Sequence, residues 1–395
     1  MSAQTSSQAS TRDLIGWRMR ALGLWPAGAG ATDTGSGSMQ DRVHAAADRL
    51  LALQGQDWNA SRWALGVRAP GTTEADVVAA FDAGRLVRSW PMRGTIHVVP
   101  AEDLGWMQAA TNHRVLPGAV KRREFLGLDD RSLAQMTDVA IERLTGGRSL
   151  SREELGNAWT EAGIGDPEKG LGQWRYHVIW WLCQNGITVM GPVEGGEPRA
   201  GIIPEPRLVL AEEWIQAPNR IEGDEALAEL AVRFVRGRGP VQDRDLAWWT
   251  GLTMRETRRG LDAASSDGRV AAVEVEGSQY WADPELLSGP NSTDRGFLLL
   301  PAFDEHLLGY TDRTAVLDAA HFERILPGRN GMFRATVVRD GRVVGVWTRT
   351  PRAKHTRITL EPFPGEALDP VHLEDAATAW GTFSGVETEV VIAAD

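Results

Sequence analysis

The sequence has almost no cysteine and no apolar run long enough to cross a membrane. Its 395 residues include 1 cysteine, Cys183, which excludes an intramolecular disulfide framework. Cys183 follows the apolar run Val178–Leu182, and we predict an unreactive thiol in a core. The segment Ser2–Thr11 is polar and has no hydrophobic signal core. We therefore expect a cytoplasmic protein, nucleoid-associated if it binds DNA, without a membrane partner.

Motifs that bind nucleotide cofactors are also missing. The sequence has neither a Gly-Lys-Ser/Thr phosphate loop nor a dinucleotide-binding glycine pattern. Asp304 and Glu305 are adjacent carboxylates, but no histidine or further acid is tied to them at the spacing of a metal site. We interpret both as structural, capping or hydrogen-bonding groups, and we expect no metal ion and no cofactor.

Charge is unevenly distributed along the chain. The formal net charge of −11 argues against an unspecific nucleic-acid binder, because such proteins are normally basic. The segment Arg85–Arg123, here called the basic segment, contains seven Lys and Arg residues. Its acidic residues are only Glu102 and Asp103. Residues 361–395 contain eight acidic residues and no Lys or Arg. One basic and one acidic pole would orient a polyanion; two ordinary solvated faces would produce the same pattern.

The order of predicted elements indicates a winged helix near the N-terminus. The length suggests two to four domains. The predicted elements are a helix from about Met39 to Leu53, helical pieces at Ser61–Val67 and Glu74–Ala83, and strands at Leu86–Trp90 and Gly94–Val99. Helices followed by a two-stranded ribbon form the winged-helix pattern.

The same order of helices and a hairpin recurs twice, and predicted strands then replace it. In the second copy, Ser149–Glu154 has a capping-box arrangement, a helix covers Gly170–Gln184, and a hairpin across Gly195-Gly196 joins Ile187–Met190 to Gly201–Ile203. The third copy is more compact: Thr253 caps its last helix. From Arg295 onward, alternating strand candidates predict a small β-barrel or sandwich. We predict an α+β fold with a disordered tail over residues 1–10, winged helices over 11–100, 101–223 and 224–294, and a β-barrel over 295–395.

Two glutamines stand where the Met39–Leu53 helix is predicted to end. In Gln54-Gly55-Gln56, Gly55 can supply the backbone freedom at which a helix terminates. If the chain is extended there, a period of two puts both amides on one face. Spacing alone favours a surface helix end with two solvated amides, and the surrounding sequence is what changes this interpretation.

Three blocks of the sequence occur in the order in which a known family has them. They are Leu53–Asp57 (LQGQD), Met92–Val99 (MRGTIHVV) and Leu300–Tyr310 (LPAFDEHLLGY). From about Thr11 to Arg349 the chain resembles the AlkZ-like DNA glycosylases, whose Gln-hydrophobe-Gln motif corresponds to the first block. The resemblance implies tandem winged helices with a concave DNA-binding surface and a C-terminal β-barrel.

The resemblance also implies a function. It implies excision of bulky N7-alkylated purines, including unhooking of interstrand cross-links made by genotoxic natural products, in DNA repair or self-resistance. By the motif, Gln54 and Gln56 match the two catalytic glutamines. Gly55 stands where the family usually has an apolar residue, and a sister group has Asp in the second position. An N7-alkylated purine is already cationic, so two amide oxygens can orient water and stabilise the sugar cation without acid catalysis.

Six residues are candidates for DNA contact: Arg88, Arg93, His97, Lys121, Arg122 and Arg123. Arg88 and Arg93 flank the ribbon turn and can reach phosphates, although a wing arginine is often only solvated. His97 lies among apolar neighbours, where a structural histidine is the more common explanation. Lys121-Arg122-Arg123 is predicted to lie in a loop after Pro117-Gly118, where phosphate contact and plain solubility are about equally common.

Three classes of function are compatible with the sequence. The first is a monofunctional DNA N-glycosylase, a monomer that acts on double-stranded DNA carrying alkyl lesions. The second is a non-catalytic winged-helix DNA-binding regulator, and the third is a protein-interaction array. Release of a free alkylated base separates the first class from the others, and salt-sensitive DNA binding separates the second from the third.

Overall fold

The computed structural model describes residues 9–25, 37–164, 172–193, 203–289, 296–329 and 331–393. The chain divides into two compact units. Unit 1 contains the chain up to Val77, Leu227–Trp249 and the chain from Thr253 onward, and unit 2 contains Val78–Ala226 and Thr250–Leu252. Helices and strands occur in both units, which confirms the predicted α+β class.

The bounds of the described elements are as follows. The helices are α1 (Thr11–Ala21), α2 (Met39–Leu50), α3 (Trp58–Gly66), α4 (Glu74–Asp82), α5 (Leu104–Phe125), α6 (Asp130–Leu144), α7 (Arg152–Glu161), α8 (Gln173–Gln184), α9 (Ala211–Trp214), α10 (Gly223–Arg238), α11 (Asp243–Thr250), α12 (Met254–Ser266), α13 (Pro284–Ser288), α14 (Glu305–Leu308), α15 (Phe322–Ile325) and α16 (Pro370–Ser384). The strands are β1 (Leu53–Gln54), β2 (Leu86–Met92), β3 (Thr95–Pro100), β4 (Thr188–Met190), β5 (Leu208–Leu210), β6 (Ala271–Val275), β7 (Ser278–Ala282), β8 (Phe297–Leu300), β9 (Thr336–Arg339), β10 (Arg342–Pro351), β11 (Thr356–Pro362) and β12 (Thr388–Ile392).

Capping residues explain where several helices begin. A capping box, in which an N-cap hydroxyl and a carboxylate three residues later each accept from the other's backbone N–H, starts α1, α2, α7 and α12. Each box satisfies two N–H groups that the first helical turn leaves unpaired. The box at Ser151 and Glu154 and the cap at Thr253 confirm the helix starts predicted there.

Unit 2 combines a small sheet with a helical core. Its strands are hydrogen-bonded in the order β3-β2-β4-β5. The β2–β3 ribbon is confirmed, and its turn residues Arg93 and Gly94 have φ of 54° and 67°, the sign that matches the twist of a hairpin. The core includes Trp159, Trp174 and Cys183. Cys183 is fully buried, as predicted.

The C-terminal part of unit 1 is an open sheet, so the predicted β-barrel is wrong. The strands are ordered β12-β11-β10-β9-β8, and every pair is antiparallel except β11 with β12. Within the described part of the chain, β8 and β12 are edge strands and do not pair with each other. Helix α16 packs against both of these strands. A helix therefore covers the apolar face that a barrel would bury by closing.

The elements predicted for residues 224–294 are present in order. Helices α10, α11 and α12 precede the hairpin β6–β7, whose turn residues Glu276 and Gly277 have φ of 48° and 77°. The three winged-helix boundaries stay a prediction. One division between the two units falls after Val77, inside α4 and inside the winged helix predicted for residues 11–100.

Three local predictions need comment. Strand β4 pairs with β5 and with β2, while the predicted turn Gly195-Gly196, residues 201 and 202 of the predicted strand Gly201–Ile203 and the helix start at Gly170 lie outside the described residues. Residues 1–8 of the predicted tail also lie outside them, but Ala9 bridges Val275 and Ser10 caps α1, so the tail prediction extended too far. No described helix has both the length and the apolarity to span a membrane.

Candidate active site

The chain turns sharply between α2 and the glutamines. Leu51 has φ 59° and ψ −47°, and the Ala52 N–H donates to the Leu50 carbonyl at 2.6 Å. This is a γ-turn with positive φ, a strained conformation that costs on the order of 1–3 kcal/mol for a residue with a side chain. The prediction that the helix runs to Leu53 and ends at Gly55 is therefore wrong: α2 ends at Leu50, and the positive φ belongs to Leu51.

Beyond this turn the chain is extended, and the two amides lie side by side. Gln54 is in the short strand β1, and its Nε2 lies 3.4 Å from Gln56 Oε1. Gln54 is half-buried and Gln56 is exposed. The Gln54 side chain is thus partly shielded from solvent, while the Gln56 side chain is accessible to water.

Helix α3 fixes the chain on the other side of the pair. The Asp57 carboxylate caps this helix by accepting from the Ala60 N–H at 3.0 Å. The Trp63 indole N–H donates to the Leu299 carbonyl at 2.7 Å. A Cβ on Gly66 would lie 2.4 Å from the ring of Phe383. These contacts dock α3 onto β8 and α16, so Gln56 lies next to Asp57, the N-cap of a well-anchored helix.

Asp304 and Glu305 each pair with a buried arginine. Arg68 meets Asp304 through two bonds of 2.8 Å, and Arg238 Nη2 lies 2.7 Å from Glu305 Oε2. At most 3% of any of these four side chains is exposed. Glu305 Oε1 also accepts from the backbone N–H of Gln54 at 3.3 Å. The interpretation of both carboxylates as structural or hydrogen-bonding groups is confirmed.

The pKa shifts of Asp304 and His306 fit the same structural roles. Burial alone would raise the pKa of the Asp304 carboxyl, but the charge and hydrogen bonds of Arg68 outweigh burial and place that pKa below its ordinary value. Burial lowers the pKa of the His306 imidazole from 6.5 to about 4. Neither group exchanges a proton near neutral pH, so both fit supporting roles. Among the described residues, no cluster of three or more His, Cys, Asp or Glu side chains could hold a metal ion.

The β10–β11 hairpin presents cations that the sequence analysis did not single out. Arg349, Arg352 and Lys354, here called the hairpin cations, are exposed, and none is ion-paired to a carboxylate in the part of the chain that is described. Arg357, by contrast, pairs with Glu389 at 2.8 Å. The signal was present: Arg349 to Arg357 contains four Lys or Arg residues and no acid.

A small cavity is lined both by β10 of this hairpin and by the residues that follow Gln56. It measures ≈ 150 Å³, and its lining includes Asp57, Asn59 and Ala60 before and within α3 and Trp347, Thr348 and Arg349 in β10. The Arg349 guanidinium lies 5.5 Å from the ring centre of Trp380, which also lines this cavity. Arg349, one of the hairpin cations, is therefore close to the residues that directly follow Gln56.

Two of the predicted DNA-contact residues are buried in unit 2. Arg88 is 2% exposed, and its guanidinium pairs with Glu205 at 3.2 Å. His97 is 0% exposed, and its Nδ1 hydrogen-bonds the Thr95 carbonyl at 2.9 Å. This placement favours structural roles for both side chains, and DNA contact by either stays a prediction that burial disfavours.

Lys121, Arg122 and Arg123 lie on a helix, so their predicted loop is wrong. Helix α5 continues through Pro117 to Phe125. A proline inside a helix removes one hydrogen bond, but Val115, Leu116 and Ala119 pack against the core of unit 2 and hold the helix together. Lys121 is exposed, whereas Arg123 pairs with Asp130 at 2.8 Å.

Arg93 and Arg122 come together at a cavity in unit 2. The cavity measures ≈ 440 Å³, and Tyr176, His177 and Trp180 are among its other lining residues. Burial, helped by the charges of Arg122 and Arg123, lowers the pKa of His177. Arg122 donates a hydrogen bond to Gln173, another residue of the lining. Two of the six predicted contact residues thus share an aromatic-lined hollow.

Comparisons with known proteins cover nearly the whole chain. The family model described as DNA glycosylase AlkZ-like matches residues 47–383. An interstrand DNA cross-link repair glycosylase of Streptomyces sahachiroi is 24% identical over 388 residues, which are 96% of this chain and 98% of that protein. The solved structure of Streptomyces sahachiroi DNA glycosylase AlkZ matches with a TM-score of 0.74 and 22% identity, covering 98% of this chain and 100% of that one. The resemblance seen in the sequence is confirmed, and the two folds are alike.

Proposed function

The chain belongs to the AlkZ-like DNA glycosylase family, and we propose that it is a monofunctional DNA N-glycosylase that excises bulky N7-alkylated purines. Its substrate in this proposal is double-stranded DNA carrying alkyl lesions, and Gln54 and Gln56 are its catalytic residues. The observation that supports this best is the pair of amides 3.4 Å apart, one half-buried and one exposed.

The chemistry of an amide suits a cationic leaving group. An amide cannot take a proton at neutral pH, so neither glutamine acts as a full general base. A purine alkylated at N7 carries a positive charge, and its glycosidic bond is already weakened. The enzyme then has to orient one water toward C1′ and stabilise an oxocarbenium-like sugar, and preorganised amide oxygens can do both. We therefore expect selectivity for cationic bases.

Water is the nucleophile in this proposal. A bifunctional glycosylase would need an amine that forms a Schiff base with the sugar. The segment from α2 to α4, which carries both glutamines, contains no lysine. This composition supports base release without strand cleavage by the enzyme itself.

The size of the neighbouring cavity supports a bulky substrate. Pockets that enclose a drug-sized ligand measure about 300–1,000 Å³, whereas the cavity beside Asp57 measures ≈ 150 Å³. Gln56 is exposed. A bulky adduct would be read at the surface rather than extruded into a closed pocket. Surface reading is also compatible with interstrand cross-links, whose repair appears in the name of the Streptomyces relative, and with self-resistance to a genotoxin.

Binding to phosphates is assigned in this proposal to two regions. The hairpin cations are exposed, and one of them, Arg349, lines the cavity beside Asp57, the residue after Gln56. Arg93, Lys121, Arg122 and Arg123 of unit 2 remain candidates on the basis of charge. Arg88 and His97 are left out of the proposed contact set because both are buried.

The test is release of base from a duplex with one N7-alkylguanine. Free base is quantified directly, and abasic sites are cleaved by heat. Gln54→Ala and Gln56→Ala should each lower the excision rate by about 10- to 1,000-fold, because a preorganised polar contact to the transition state is lost. DNA affinity should barely change, since phosphate contacts supply most of the binding. A duplex with a neutral lesion is the control and should not be processed.

Gln56→Glu is a sharper probe of the same site. A carboxylate at position 56 activates water more strongly and stabilises a cationic sugar. Its negative charge also changes the hydrogen bond between this side chain and Gln54 Nε2. We expect reduced but measurable excision. If both alanine variants excise at the wild-type rate, Gln54 and Gln56 are not catalytic. If the wild type binds DNA and releases no base, the chain is a non-catalytic winged-helix regulator.

A further inference from the structure

We propose that Arg238 and Glu305 are positioning residues that hold the backbone of Gln54 in its working conformation. This inference rests on the proposed function, because it assigns the two residues to the catalytic segment. Neither side chain touches the amide of Gln54 or Gln56 in any described contact. They act on the chain that carries the first glutamine.

The backbone before Gln54 needs an external support. Leu51 holds a positive φ that its side chain disfavours. The Arg238 guanidinium spans the turn that results. Its Nη1 donates to the Leu50 carbonyl at 2.8 Å, and its Nη2 donates to the Ala52 carbonyl at 2.7 Å. One guanidinium group therefore donates hydrogen bonds to the residues on both sides of Leu51.

The Glu305 carboxylate completes the support. Its Oε2 accepts from Arg238 Nε at 2.9 Å, from Arg238 Nη2 at 2.7 Å and from the Trp249 indole at 3.2 Å. Its Oε1 accepts from the Gln54 N–H at 3.3 Å. One oxygen is thus occupied by the arginine and the indole, and the other fixes the backbone of the proposed catalytic residue.

Packing leaves Arg238 little freedom to move. Its side chain is 0% exposed, and its guanidinium carbon lies 4.3 Å from the ring centre of Trp249. A Cβ on Gly237 would lie 2.3 Å from the Arg49 carbonyl oxygen, so α10 and the end of α2 are in direct backbone contact. Arg238 therefore extends to the turn at Leu51 from a helix whose position is fixed by packing.

A neighbouring ion pair provides a matched control. Arg68 also bonds two carbonyls, of Leu22 and Ala64, and one buried carboxylate, Asp304. The two carboxylates are adjacent in sequence, and both pairs are almost completely buried. None of the described contacts of Arg68 or Asp304 involves the segment from Leu50 to Gln56. If these substitutions act only through a general loss of stability, variants of both pairs should lower the excision rate. If they act by positioning Gln54, only variants of the Arg238–Glu305 pair should lower it.

The experiment compares Glu305→Gln and Arg238→Lys with Asp304→Asn and Arg68→Lys. Single-turnover excision is measured at saturating enzyme and at a temperature where all variants are folded. Glu305→Gln and Arg238→Lys should lower the rate by about 10- to 100-fold with an unchanged Kd for DNA, because small misplacements of a reacting group are costly. The Asp304 and Arg68 variants should stay within about 3-fold of the wild type, an expectation from the same argument. Equal losses in both sets would overturn the proposal.

A double-mutant cycle adds a readout that a purely structural role would not move. If Glu305 works through Gln54, Glu305→Gln should lower the rate of Gln54→Ala by no more than about 3-fold, because the two changes remove one function. Effects that multiply in full would contradict the inference.

Amide exchange tests the positioning without using activity. In the wild type, the Gln54 N–H should exchange slowly, and Glu305→Gln and Arg238→Lys should accelerate it while Asp304→Asn does not. Fast exchange in the wild type would overturn the proposal even if every variant failed to fold. Failure of the wild type to release base would instead overturn the proposed function, and the exchange result would still decide whether Glu305 holds Gln54.

Discussion

The hairpin cations and the basic segment contain similar side chains in different states. In the basic segment, Arg88 is buried against Glu205 and Arg123 pairs with Asp130. On the hairpin, Arg349, Arg352 and Lys354 are exposed, and within the described ranges no carboxylate pairs with them. A count of charges along the sequence ranks the first region higher. The hairpin cations are nevertheless more available to a phosphate, because tertiary structure decides which cations are paired with carboxylates.

The largest effect is expected from the hairpin. Replacing Arg349, Arg352 and Lys354 together by Ala should weaken binding to duplex DNA by about 10- to 1,000-fold near physiological salt. The slope of log affinity against log salt should fall by about 2 to 3 units, roughly one for each lost phosphate contact. Both quantities follow from fluorescence anisotropy at several salt concentrations.

The control removes the same number of charges from the same sheet. Arg334, Arg339 and Arg357 each pair with a carboxylate, Glu361, Glu366 and Glu389 respectively. Their triple replacement by Ala should change the salt slope by less than about one unit. A control that matches the loss in the hairpin variant would mean that only net charge matters, and the distinction between free and paired cations would fail.

A smaller effect is expected from the basic segment. DNA binding should weaken steeply with salt, and replacing Lys121, Arg122 and Arg123 together by Ala should flatten that dependence by about 1 unit. The reason for the smaller value is that Arg122 bonds Gln173 and Arg123 pairs with Asp130, whereas Lys121 is exposed. An unchanged slope would remove this helix from the DNA surface. A flattening as large as that of the hairpin variant would show that Arg122 and Arg123 leave their partners on binding.

Local signals in the sequence were enough for many elements. The caps at Ser151 and Thr253 placed the starts of α7 and α12 correctly, because a cap bonds within its own first turn. The period of two put the amides of Gln54 and Gln56 together, as the 3.4 Å distance shows. These features depend on residues a few positions apart.

Features that depend on distant residues were missed. The turn at Leu51 is held by Arg238, which lies 188 positions from Leu50, and Glu305 reaches Gln54 over 251 positions. The β-barrel was predicted from strand patterns and from the family resemblance, but α16 covers the sheet and leaves it open. The loop after Pro117 was predicted from proline chemistry, and packing against the core outweighed it. In each case tertiary contacts decided between locally acceptable structures.

No change is expected in the labelling of Cys183 when Lys121, Arg122 and Arg123 are replaced, and this labelling shows whether the core of unit 2 stays folded in that variant. Cys183 is the 1 cysteine of the chain, and burial raises the pKa of its thiol to about 12. Labelling by a thiol reagent should be at least about 100-fold slower in the folded protein than in denaturant, because little thiolate forms and access is blocked. The variant at Lys121, Arg122 and Arg123 should label as slowly as the wild type, since Val115, Leu116 and Ala119 of the preceding part of α5 pack against the core that holds Cys183. Rapid labelling of the wild type would mean that the core of unit 2 is placed wrongly. Rapid labelling of the variant alone would mean that its altered salt slope reflects an unfolded helix rather than lost phosphate contacts.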